Sequence, residues 1–137
     1  MQFENKIAIV IKDDLLDWQK LNVASFLASS VAIQFPETHG RPFVNASASE
    51  YLPFIKQPIL IYKADDQAQI DRTFSRAKQR ELKIGIYTEP LFATKNEDEN
   101  HIEISKFTDD NQTLVGIIVY GKKRKVDKAL NGMKFHK

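Results

Sequence analysis

The chain has no cysteine among its 137 residues. That absence excludes a disulfide framework, a thiolate zinc centre, an iron–sulfur cluster and a cysteine nucleophile. Glycine is scarce: its five positions, Gly40, Gly85, Gly116, Gly121 and Gly132, form no Rossmann fingerprint, no phosphate-binding P-loop and no glycine-flanked serine elbow. His39, His101 and His136 lie far apart, without the spacing of paired metal ligands. Asp98, Glu99 and Glu103 suit a solvated helical surface better than a cation cage, so neither a metal nor another cofactor is expected. Long apolar runs are missing as well. The longest early one, Ile7 to Ile11, falls far short of a signal-peptide core or the ~20 residues of a membrane span, so the expectation is a cytoplasmic protein with no membrane partner.

What is present suits one domain covering residues 1–137, with 42% hydrophobic residues and a core that needs no covalent staple. The 20 Lys plus Arg and 18 Asp plus Glu are unevenly placed. Residues 1–68 hold 6 basic and 8 acidic groups, residues 69–137 hold 14 and 10. At the end, Lys122, Lys123, Arg124, Lys125, Lys128, Lys134 and Lys137 oppose only Asp127. A stripe of this kind either binds phosphate backbones or simply aids solubility.

Apolar periodicity divides the chain into alternating elements. Lys6 to Lys12 is short, β-branched and continuously apolar within, as a strand covered on both faces is. Leu21 to Phe35 places Val23, Phe26, Leu27 and Val31 at spacings of three and four, which predicts an amphipathic helix closed by Pro36. Pro36 to Glu50 shows neither period and is expected to be an irregular connection or a flap. Pro58 to Lys63 is a second strand, followed by a helix capped by Asp65 or Asp66 with Ile70, Phe74 and Ala77 on one face and Arg72, Arg76 and Arg80 on another. Leu82 to Thr88 alternates as a strand near an edge does, and Asn96 followed by Glu97, Asp98 and Glu99 opens a short helix reaching about Lys106. Thr113 to Tyr120 is the fourth strand, and Val126, Ala129, Leu130 and Met133 give a last helix ending near Gly132. The expected fold is therefore α/β: a single layered domain, a four-stranded, mostly parallel or mixed sheet, and helices on both faces.

Sites in such sheets gather at the carboxyl ends of strands, which directs attention to Asp13–Lys20, Thr88–Asn96 and the approach to Gly121. In the first segment, Lys20 beside free helix amides suits a phosphate or carboxylate and Trp18 suits stacking; alternatively an aspartate caps the helix and Trp18 staples the loop to the core. In the second, Glu89 sits where a carboxylate orients water or accepts a proton, especially if Leu91 and Phe92 shield it. It is otherwise a turn acid. Asp14, Trp18, Asn22, Tyr87 and Thr88 complete the candidate ligand-binding set.

The segments KIAIVIKDDL, QPILIYKADDQAQIDRTFSRAKQRELKIGIYTE and TLVGIIVYGKKRKVDKALNGMKF resemble, along nearly the whole chain, the archaeal and eukaryotic type II peptidyl-tRNA hydrolase fold. DDLLDWQKLN, YLPFIKQP and YTEPLFAT look like an uncharacterised bacterial domain family sharing that fold. Asp14-Leu15 matches the hydrolases, whereas Trp18 and Lys20 fall on the glycines of their Gly-Lys-Gly-Lys segment and Gln19 and Leu21 on its lysines. Glu89 takes the place of their aspartate, and only a one-residue shift lets Thr94 stand for their threonine. The resemblance implies Lys20, Glu89 and Thr94 as the catalytic set, with geometry altered by the longer acid and bulkier loop.

Three functions follow as expectations. The first is a retained pocket that binds a small polar or anionic ligand with hydrolase chemistry altered or lost. The second is hydrolysis of peptidyl-tRNA or a related acyl ester, with a tRNA-like substrate meeting the basic tail. The third is RNA binding without cleavage. Self-association into a homodimer through an apolar helix or sheet face is compatible with all three.

Overall fold

The structure, a computed structural model, describes residues 3–137. In chain order its elements are β1 (Asn5–Lys12), α1 (Asp17–Gln34), a 3-10 turn (Pro36–Thr38), β2 (Phe43–Val44), β3 (Glu50–Tyr51), β4 (Ile59–Ala64), α2 (Gln67–Gln79), β5 (Lys83–Thr88), a second 3-10 turn (Glu89–Ala93), α3 (Glu97–Ser105), β6 (Leu114–Lys122), α4 (Lys123–Ala129) and β7 (Lys134–Phe135). The main sheet has five strands in the order β5-β6-β1-β4-β7.

The continuous apolar character of β1 has the reason expected of it, burial on both sides. Ile7, Ile9 and Ile11 meet Val23, Leu27 and Val31 of α1, while Ala8 and Val10 face Ile70, Phe74 and Ala77 of α2 and Val126 and Ala129 of α4. Burying these side chains contributes roughly 1.5–3 kcal/mol for each large one, which is what holds three helices on two faces.

Only β1 and β4 pair in parallel; β1–β6, β5–β6 and β4–β7 are antiparallel. The sheet is therefore mixed, not mostly parallel. β1, β4 and β5 do run the same way, and α1 and α2 cross over after the first two. The third connection differs because α3 has no fully buried residue and cannot cover a sheet face, so the chain re-enters from the same end and β6 runs backward. This puts the approach to Gly121 at the opposite end from the other two predicted loops, since Lys6 pairs with Gly121 and Asn5 with Lys122.

The fifth strand, against the four expected, is the two-residue β7, paired with Tyr62 and Lys63 and stacked through Phe135 on Tyr62 at 4.7 Å. The chain reaches it through Gly132, whose φ of +89° favours glycine. The stretch expected to be irregular contains the first 3-10 turn and a β2–β3 hairpin whose Phe43, Val44 and Tyr51 are exposed. Among the described residues, no helix is long and apolar enough to cross a membrane.

Candidate functional site

α1 begins at Asp17, four residues before the predicted start, without an aspartate cap: Leu16 is the cap residue, and its N–H donates to Gln19 Oε1 at 2.9 Å. This early start makes Trp18, Lys20 and Asn22 helical, so the 3.6-residue period separates them. Val23, Leu27 and Val31 face the sheet. Asn22, Phe26, Ser29 and Ile33 form a second stripe toward β5, and Lys20, Leu21 and Ala24 line a hollow on the other flank with Ile11, Ile61 and His136. Lys20 Nζ lies 3.4 Å from Asp13 Oδ1, and His136 Nε2 lies 3.7 Å from the same oxygen.

The second stripe borders a cleft of about 750 Å³ at the free edge of β5. Ile86 and Tyr87 of β5, Leu91 and Phe92 of the turn, and Asn100, His101 and Ile104 of α3 close it. Aromatic rings form one wall in sequence: Trp18 meets Phe92 edge-on at 5.8 Å, Phe92 meets Tyr87 at 5.0 Å, and Tyr87 meets Phe26 at 6.1 Å. Such separations fall in the favourable range for tilted and edge-to-face pairs.

The opposite wall is polar and is held by hydrogen bonds. Asn96 caps α3 by accepting from the Glu99 N–H at 2.9 Å, as expected, whereas the Glu99 carboxylate accepts from the N–H of Lys95 at 3.2 Å rather than from that of the cap residue, so the capping box is not reciprocal. Thr94 donates to the Leu91 carbonyl at 2.8 Å and lies against the Asn100 side-chain carbonyl, tying the turn to the helix. Burial pushes the Tyr87 phenol above its ordinary pKa, so the hydroxyl keeps its proton near neutrality and remains a donor.

The cleft thus gathers Asn22, Tyr87 and Thr94, with Trp18 buttressing its wall. Lys20 lines the other flank of α1. Asp14 is exposed, 3.7 Å from Lys12 Nζ. Thr88 is buried, and its hydroxyl has no hydrogen-bond partner among the described residues. Glu89 is exposed; its backbone N–H joins Thr113 at 2.9 Å, whereas Leu91 and Phe92 turn into the α1-side core and do not shield it. Phe26, Asn100 and His101 were not singled out from the sequence. Phe26 was visible only as a core position, and α3 shows no apolar period that would orient it.

These features define a mixed α/β domain with a half-aromatic, half-polar cleft beside an edge strand. The chain belongs to the DUF2000 family, described as a protein of unknown function, whose model matches residues 5–137. It is similar to a solved protein of unknown function from Agrobacterium tumefaciens strain C58, at 34% identity and a TM-score of 0.95, over 99% of this chain and 100% of that one. No curated protein matches it.

Proposed function

We propose that this domain is a binding module for a small polar ligand with a planar or apolar portion, held in the cleft between α1, β5 and α3. The observation that carries this reading is the combination of the Trp18–Phe92–Tyr87–Phe26 ring wall with the amide and hydroxyl groups of Asn22, Thr94 and Asn100 around a cleft of about 750 Å³. That size and that mixture of apolar lining with a few polar groups are typical of small-molecule sites. Lys95, Glu97 and His101 line the same cleft, so its charged groups are of both signs and suit a polar ligand rather than a strongly anionic one.

The peptidyl-tRNA hydrolase-like reading needs Lys20 and Glu89 to act on one carbonyl. Lys20 pairing with Asp13 on the other flank of α1, and Glu89 standing in solvent, favour binding over hydrolysis. The test is a thermal-shift screen of small heterocyclic acids, amides and esters, followed by calorimetry and product analysis. A ligand should raise the melting temperature without being consumed, and Asn22→Ala, on the exposed helix surface, should weaken it about tenfold, equivalent to ~1.4 kcal/mol. Turnover of a bound ester, abolished by Glu89→Ala, would overturn the reading in favour of hydrolysis.

A further inference from the structure

A second concavity, of about 700 Å³, lies at the other end of the molecule, between the last turns of α2 and the short α4. It is lined by Arg76 of α2 and Arg80 just past its end, and by Lys123, Arg124, Asp127 and Lys128 from α4, with Asn131 beyond. Because β6 runs backward, α4 starts beside Glu4 at the amino end of β1, where the Lys123 N–H donates to the Glu4 carbonyl at 3.1 Å. The proposed ligand cleft belongs to the carboxyl end of β5, so the two sites are separate.

Five cationic side chains against one carboxylate is an unbalanced set, and the carboxylate is already engaged. Asp127 accepts from Lys6 at 2.7 Å and from Lys123 at 3.2 Å. Neither Arg124 nor Lys128 makes an ion pair among the described residues. Arg76 and the capping Arg80 are held in place by neutral carbonyls: Arg76 donates to Asn131 O at 3.1 Å and Arg80 to Arg76 O at 3.2 Å. Each guanidinium has five N–H groups, so one carbonyl contact orients the fork and leaves donors for an anion. Beneath them, Val126 and Ala129 of α4 share a buried cluster with Phe74 and Ala77 of α2. Apolar packing thus holds like charges together that would otherwise drift apart in water.

We propose that this concavity binds an anion with two or more adjacent phosphate groups, of the linear oligophosphate class. The arginine forks match phosphate oxygens two at a time, and cations on two facing helices suit neighbouring phosphates better than a single one. Converging charges around one hollow of small-molecule size favour a compact ligand over a long backbone tracked along a face.

The test is calorimetry of the full chain at low salt with inorganic tripolyphosphate, orthophosphate and a mixed-sequence RNA oligonucleotide. Two variants of exposed side chains accompany it: Arg124→Gln/Lys128→Gln, and Lys134→Gln on β7 as a charge control. Tripolyphosphate should bind one to one and more tightly than orthophosphate, about tenfold more weakly to the double variant, and within twofold of normal to the control. Absence of saturable binding, equal loss in the control, or tighter binding of the RNA than of tripolyphosphate would each overturn the proposal.

Discussion

The indole of Trp18 meets the ring of Phe92 edge-on at 5.8 Å, joining the first turn of α1 to the turn that follows β5, although more than seventy residues separate them in the chain. Phe92 is at once the partner of Trp18 and of Tyr87, and so joins the indole to the rest of the aromatic wall. Phe92→Ala should therefore destabilise the fold by about 2 kcal/mol, below the usual range for a fully buried phenylalanine because this one is half-buried. Trp18 is the only tryptophan, so its emission should shift to the red in the variant before any denaturant is added. Fluorescence-monitored urea unfolding checks both outcomes.

Gly116 sets how closely α1 approaches the sheet. A Cβ there would overlap Val23 Cγ1 and lie 3.2 Å from Leu27 Cδ1, two of the side chains that seat the helix. Gly116→Ala should cost about 1–3 kcal/mol by overpacking. At Gly132 nothing lies within 4 Å, and Gly132→Ala should cost about 1–2 kcal/mol through its left-handed φ alone. Urea unfolding of the two variants separates the mechanisms if Gly116→Ala also perturbs the near-ultraviolet signal of the aromatic wall while Gly132→Ala does not.

The Lys6–Asp127 pair gives a pH signature. Its hydrogen bond to Lys6 chiefly holds the Asp127 carboxyl below its ordinary pKa, against partial burial and with help from Lys123. For Lys6, burial works to lower the pKa, but the bonds to Asp127 and Tyr62 outweigh it and raise the value. The carboxylate's contribution is therefore complete above the unfolded-state value of about 3.9 and is lost as pH falls through the depressed folded value. The ammonium's contribution is complete below about 10.4 and is lost as pH rises through its raised value. Asp127→Asn should lower stability near neutrality by less than ~1 kcal/mol, because the carboxylate is 42% exposed and solvent screens the pair. The difference from the parent should close in a melting series as pH falls through the carboxyl's depressed folded value, and should shrink with added salt.

The scaffold was legible where burial imposes a period. β1, β4, β5 and the body of β6 stand close to where their apolar runs place them, and the Asp66 and Asn96 caps are where the polar-then-helical pattern puts them. The direction of β6 was not legible, because it depends on α3 failing to cover the sheet, a tertiary fact that a polar helix of ordinary composition does not reveal. β7 was hidden by its length: two residues, Lys134 and Phe135, carry no alternation to count. The candidate cleft was legible only in its position. Strand ends point to the Trp18 and Thr88–Thr94 segments, but residues 17–20, which carry no apolar period of their own, are already helical, and that periodicity turns Lys20 away from Asn22 and Phe26.

Where the ligand sits is tested by a nitrogen–proton NMR titration with the tightest ligand from the thermal screen, following the Trp18 indole N–H and the side-chain amides of Asn22 and Asn100. Binding in the cleft between α1, β5 and α3 should move these three signals together along one saturation curve while the Lys20 and His136 neighbourhood stays still. Saturable shifts confined to the Lys20–His136 hollow, with Trp18, Asn22 and Asn100 unmoved, would contradict it.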